Sequence, residues 1–196
     1  MTLPLVRSAL PLVAALLISS NAAAQPSAGA PDFDALVAEH RAAIARLAWM
    51  DGVWRGTVVT NEPEGAVTIL QTERIGAMAS GTARLIEGRG FAEDGSIVFD
   101  AVAVVTYDAV ADRYVMTSTA RGMTGRPWFK ATADGFEWGM ENGPMKMSYV
   151  ARLVEGEWIE EGFMAMADAP PRKWLTMRLK RVADTDWPAA GAIAAP

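Results

Sequence analysis

Two adjacent carboxylates, Glu160 and Glu161, are the residues of this chain best placed for general acid–base work. They lie in a strand-like run, where neighbouring side chains point to opposite faces, so only one can enter an enclosed interior. The two therefore cannot act together as a carboxylate pair. A single buried carboxylate would have a raised pKa and could serve as a base. Because Glu is seldom buried unpaired, the competing reading has one solvated and the other paired with a basic neighbour such as Arg84 or Arg152. His40 is the single histidine and sits on the apolar stripe of a predicted helix, where a packing role is expected. With no cysteine and one histidine, ordinary zinc ligation and thiol nucleophiles lack their residues. Ser80-Gly81 lacks the preceding glycine of a hydrolase elbow. Gly88-x-Gly90 runs into Phe91, Ala92 and Glu93 and reads as a turn, not a dinucleotide fingerprint. No catalytic residue, metal site or cofactor is assigned on these grounds.

The elements that would position such residues occupy one domain within 196 residues, 51% of them hydrophobic and 21% charged. Residues 1–24 read as a cleaved export signal: Arg7, an apolar run over 9–18, then Ala22-x-Ala24 as a small-residue cleavage site. The run is shorter than the ~20 apolar residues a bilayer span needs, so no stable membrane anchor is expected and the location is periplasmic or secreted. Residues 25–31 form a flexible leader, 32–186 the folded domain, and 187–196 a frayed tail. A net charge of −5 disfavours a nucleic-acid partner, whose phosphates need basic patches.

Asp32 is a plausible N-cap, followed by Phe33, Leu36, Val37, His40, Ile44 and Leu47 on one helical stripe of about four turns. After Gly52 only strand-like segments remain, near 53–60, 66–74, 81–89, 96–107, 113–120, 126–132, 135–140, 145–153, 157–165 and 173–182. Asp94-Gly95, Asp134-Gly135, Asn142-Gly143 and Glu155-Gly156 separate several of them and favour tight hairpins. The expected fold is all-β: an antiparallel up-and-down β-barrel of about ten strands with one N-terminal α-helix. Closure would also remove exposed edges.

Alternation assigns the inward faces. Met145, Met147, Tyr149, Ala151 and Leu153 share one, as do Ile97, Phe99, Ala101, Ala103, Val105 and Tyr107; so do Phe136, Trp138 and Met140, and Leu175, Met177, Leu179 and Arg181. Tyr107, Tyr114, Met116, Trp128, Trp138, Met147, Tyr149, Phe163 and Met177 are the expected lining of the interior or its mouth. Such aromatic and thioether surface suits a small apolar or amphipathic ligand, and equally a filled core.

Gly52-x-Trp54-x-Gly56, where the helix gives way to the strands, resembles the first-strand signature of the calycin superfamily, which includes lipocalins, fatty-acid-binding proteins and nitrobindin-like barrels. The chain looks most like bacterial lipocalin-like exported domains of unknown function. The resemblance implies a small-ligand barrel closed at one end by the helix, with a last-strand Arg packed across the first-strand Trp. Arg181 takes that role over Trp54, with Arg178 as the alternative, and the contact would be a cation–π stack plugging the closed end. Nitrobindin-like barrels hold haem through a barrel histidine. No strand here carries one, and Val58 stands where a third glycine is expected; ligation by Tyr or Met is left open. The function expected is therefore an exported binding protein rather than an enzyme. The alternatives are a cofactor-independent enzyme using a buried carboxylate and an Arg, and an interaction module that homodimerises through Val98, Val102 and Val104.

Overall fold

The computed structural model describes residues 32–187. The predicted signal, the leader and all but the first residue of the tail lie outside them. Asp32 caps helix α1 (Phe33–Ala45), accepting from the Ala35 amide at 3.0 Å. A 3-10 turn (Ala48–Met50) then leads into eleven strands: β1 (Gly52–Glu62), β2 (Gly65–Met78), β3 (Ala83–Phe91), β4 (Ile97–Asp108), β5 (Arg113–Ala120), β6 (Met123–Gly125), β7 (Trp128–Ala131), β8 (Gly135–Asn142), β9 (Met145–Val154), β10 (Glu157–Met166) and β11 (Arg172–Ala183). All belong to one antiparallel sheet, ordered β6-β5-β4-β3-β2-β1-β11-β10-β9-β8-β7, curled into a barrel-like form. The all-β fold with one helix is as expected.

Each strand pairs with its chain neighbour, and the first pairs with the last, except that β6 and β7 are the two ends of the sheet. Only Arg126 and Pro127 separate them. The segment 123–131 thus adds three residues to the ladder of β5 and then, beyond Pro127, four to the ladder of β8. A proline offers no amide to either ladder, so the change of partner falls where it costs no hydrogen bond. The strand expected at 126–132 is β7, and the short β6 before it is an additional strand. Gly88-x-Gly90 is also corrected: it lies inside β3, paired with β2 and β4, and is not a turn.

The core gathers at the helix end of the sheet. Ile44, Leu47, Met50, Trp54, Ile75, Val105, Ala151 and Leu179 are all buried there. Trp49 stacks on Phe136 with centroids 5.9 Å apart and meets Trp158 edge-on at 5.4 Å, while Trp158 meets Trp54 at 5.7 Å. Phe129 stacks on Phe136 at 5.1 Å and lies 5.7 Å from Tyr114, so side chains join β7 to β5 where no ladder does. The helix is anchored by Tyr114 Oη donating to the Ala43 carbonyl at 2.8 Å and by Arg41 Nε donating to the Ser80 carbonyl at 2.6 Å. Its apolar stripe is buried only at the C-terminal end: Ile44 and Leu47 are fully covered, whereas Phe33 is 71% exposed.

Candidate functional site

Beyond the aromatic plug, the inward positions change character. On β2 the inward sequence is Ile75, Glu73, Gln71 and Ile69, opposite Gly52, Trp54, Gly56 and Val58 of β1. On β10 it is Trp158, Glu160 and Gly162, opposite Leu179, Met177 and Leu175 of β11. Two glutamates therefore enter one interior from either side of the β1–β11 pair. Both are buried, at 8% and 7% exposed.

Glycines make room for them. A Cβ on Gly88 would come within 2.7 Å of the Glu73 carboxylate, and one on Gly90 within 3.2 Å of Gln71 Oε1. Gln71 Nε2 donates to Glu73 Oε1 at 2.7 Å, and Trp138 Nε1 donates to Glu160 Oε1 at 3.1 Å. Burial is the main cause holding the Glu73 carboxyl up at about 8; the Gln71 bond opposes it and the Glu160 charge adds to it. Burial likewise raises Glu160 to about 7, against the pull of the Trp138 and Trp158 indoles.

An aromatic wall adjoins the carboxyls. Trp138 (β8) stacks on Tyr149 (β9) with centroids 4.0 Å apart and planes 8° from parallel, and Trp174 (β11) meets Tyr149 edge-on at 6.1 Å. Gly162 lets them converge: its missing Cβ would lie 3.0 Å from the Tyr149 ring and 3.1 Å from Trp174 Nε1. Burial pushes the Tyr149 hydroxyl well above its usual range, with the Glu160 charge as a second cause, so it is a neutral donor or acceptor.

Of the nine residues expected to line the interior or its mouth, Tyr107, Tyr114, Met116, Trp138, Met147, Tyr149 and Met177 lie on the inward faces. Tyr107 and Tyr114 lie under α1, ring centroids 5.4 Å apart, beside a separate cavity of about 510 Å³ lined also by Glu39, Arg46, Phe129 and Lys130. Trp128 and Phe163 are corrected. Trp128 is 45% exposed and covers the outer side of β8, where a Cβ on Gly139 would lie 2.7 Å from its ring. Phe163 pairs with Ser148, on the face opposite that of Tyr149 and Gly162. Sequence reasoning missed Glu73, Gln71 and Trp174.

Glu160 is the member of the Glu160-Glu161 pair that enters; Glu161 faces out and pairs with Lys173 at 3.0 Å. The partner of Glu160 is an indole, not Arg84 or Arg152. Arg84 Nε instead stands 2.9 Å from Asp51 Oδ1, too far off-axis for a hydrogen bond but an ion pair, and Arg152 meets Asp134 on the surface. Desolvation lowers Arg84 and raises Asp51, with the ion pair opposing both.

Trp54 and Arg181 are direct cross-strand partners. The Trp54 indole is buried and donates to the Met50 carbonyl at 2.8 Å. Arg181 does not take the expected stack over it: its guanidinium lies against Gly52, donating to the Asp51 carbonyl at 3.1 Å and to Asp184 at 2.7 Å. Among the described residues the cation–π contact is Arg74 over Trp187, 4.4 Å from the centroid. Gly52 has φ +140 and a Cβ there would meet Arg181 Nε at 2.6 Å, so both backbone and space require glycine. Arg178 faces out and pairs with Glu157 at 2.7 Å. His40 lies edge-on to Tyr107 at 6.0 Å, away from the inward carboxyls.

No family model matches the chain. No curated protein sequence is significantly similar to it. Among solved structures, the chain is similar in fold to the crystal structure of Rv2717c from M. tuberculosis, with a TM-score of 0.51 and 14% sequence identity over 73% of this chain and 97% of that one. At that identity the likeness is one of fold.

Proposed function

We propose that this protein binds a small amphipathic molecule in the interior of its curled sheet, with an apolar body against Trp138, Tyr149 and Trp174 and a polar group toward Glu73 and Glu160. The observation that carries this reading is the stacked aromatic wall hydrogen-bonded directly to a buried carboxyl. Apolar walls with a few convergent polar groups are the usual make-up of a ligand site. The Gly52-x-Trp54 start, the helix at one end and the pairing of first and last strands support placing the chain among lipocalin-like barrels. Native mass spectrometry of freshly purified protein tests it, together with quenching of Trp fluorescence by hydrophobic probes. A molecule retained in the native state is expected; a ligand-free protein whose indoles no probe reaches contradicts it.

Export rests on the leader pattern over 1–24, and fractionation of cells expressing the full chain tests it. A second reading, a cofactor-independent enzyme, is favoured by the carboxyls poised at about 7 and about 8, near the range where a general acid or base works best. Glu160→Gln would abolish turnover in that case. Self-association through the outer face of β4 draws on Val98, Val102 and Val104, exposed by 41%, 38% and 38%. Light scattering at two concentrations tests it, a persistent monomer counting against it.

A further inference from the structure

The seam between β5 and β7 holds a cavity of its own. β6 takes only Ser118, Thr119 and Ala120 of β5, so residues 113–117 have no ladder partner on that side, and β7 pairs with β8 alone. Adjacent strand residues point to opposite faces of a sheet. Yet Arg113 and Tyr114, and likewise Phe129 and Lys130, line one cavity of about 510 Å³ here. It is therefore a slot through the unladdered gap, lined also by Ala42 and Ala43 from the last turn of α1.

The slot has an apolar depth and a charged rim. Tyr107 and Tyr114 are half-buried and Phe129 is buried, with ring centroids 5.4 Å apart across the first pair and 5.7 Å across the second. Arg46, Arg113 and Lys130 are exposed. Among the described residues none of these three cations has a carboxylate within ion-pair distance. Two carboxylates share the lining, and one of them, Asp112, accepts the Tyr107 hydroxyl. That leaves Glu39 against three cations, a local excess of positive charge on a chain of net charge −5. The Tyr114 hydroxyl is committed to the Ala43 carbonyl, and the Arg46 charge lies near enough to act on it. The open strand edges add backbone N–H groups without ladder partners to the same gap.

We infer that the slot binds a small organic oxyanion, a carboxylate or a phosphate on a flat apolar body, with the body against Tyr107, Tyr114 and Phe129 and the charge at the rim among Arg46, Arg113 and Lys130. Its volume lies within the ordinary range of small-ligand sites. Guanidinium groups match the paired oxygens of both anions. Because the cations are exposed, little desolvation opposes the contact and salt screens it. Neither Glu73 nor Glu160 lines this slot, so its ligand is independent of the one proposed for the interior.

Four probes on one ring system separate body from charge: naphthoate, naphthyl phosphate, naphthylmethanol and naphthylmethylammonium, all substituted at the same ring carbon and titrated calorimetrically into the full chain. At least one anion is expected to bind about tenfold more tightly than the alcohol, with the ammonium weakest, and the tighter anion names the oxyanion. Raising the ionic strength should weaken that anion about threefold or more and leave the alcohol unchanged. The triple variant Arg46→Gln, Arg113→Gln, Lys130→Gln alters exposed side chains alone and should bind anion and alcohol alike. Ala42→Trp, which fills the slot from an exposed helix position, should abolish binding of both. No anion bound more tightly than the alcohol, an anion preference kept by the triple variant, or anion binding kept by Ala42→Trp each overturns the assignment.

Discussion

Trp138 lies flat on Tyr149, 4.0 Å between ring centres, and donates its indole N–H to Glu160 at 3.1 Å. A single side chain thus joins an apolar surface from β9 to a carboxyl from β10. In water such a carboxyl would be of little note. Set inside the sheet, beside a second carboxyl on β2, it makes stability and recognition depend on the same atoms.

The first expectation concerns pH. Glu160 and Glu73 rise from an ordinary value of 4.5 to about 7 and about 8 in the folded protein. The folded state therefore holds protons that the unfolded chain has released, so the contribution of these two groups to stability is fullest below pH 4.5 and is lost as pH rises from there to about 8. Glu160 contributes on the order of 3 kcal/mol to that loss and Glu73 on the order of 5 kcal/mol. Thermal melts across this range should show Glu160→Gln gaining on wild type with rising pH, with no gain at pH 4. Parallel curves for the two proteins would refute it.

The ion pair at the helix end should behave differently. Arg84 is almost fully buried while the Asp51 side chain is 31% exposed, so Arg84→Ala should destabilise by about 2 kcal/mol, between the values for exposed and buried pairs. Arg152→Ala, which breaks a surface pair with Asp134, should cost no more than about 0.5 kcal/mol. Urea unfolding of the two variants makes the comparison.

Glycines separate by what surrounds them. A Cβ on Gly56 would lie 1.9 Å from the Arg178 carbonyl oxygen, a backbone atom held in the β1–β11 ladder, so Gly56→Ala should cost about 3 kcal/mol or more. Gly125 has nothing within 4 Å and an unstrained backbone. Gly125→Ala should stay within about 0.5 kcal/mol of wild type. Equal midpoints for both variants in urea would show that β1 and β11 are not as close as described.

Tyr114→Phe removes the hydroxyl that holds the Ala43 carbonyl at 2.8 Å and should cost about 1 kcal/mol. Hydrogen exchange at the C-terminal turn of α1 should quicken more than exchange in β1. An unchanged helix would mean that Ile44 and Leu47 alone anchor it.

Much of the architecture could be read from residue order. Alternation over 145–153 placed Met147 and Tyr149 inward, and the Gly52-x-Trp54 start led to the pairing of Trp54 with Arg181. The guanidinium was not readable, because its donors choose between a ring face and a nearby carbonyl, and the turn before β1 brings the Asp51 carbonyl within 3.1 Å. Gln71 and Glu73 were missed because a polar residue in a strand ordinarily marks the wet face. The signal was present in the matching spacing of Gly88-x-Gly90, small residues placed across from the larger polar ones. Trp128 misled because the run 126–132 is too short for alternation to decide between Trp128 and Phe129, and the pairing of Phe129 with Trp138 puts Phe129 inward.

The pairing of β1 with β11 divides the chain into two meanders of unlike timing. Strands β1 to β6 can each find a neighbour as soon as it is made, as can β7 to β11 within their own half. The two halves meet along a ladder whose far side, Arg172–Ala183, is made after every other described strand. Until then β1 is an open edge and Trp54 lacks its partner strand, so nascent chains stalled before residue 172 are the species most exposed to mispairing, and the last strand acts as the latch of the molecule.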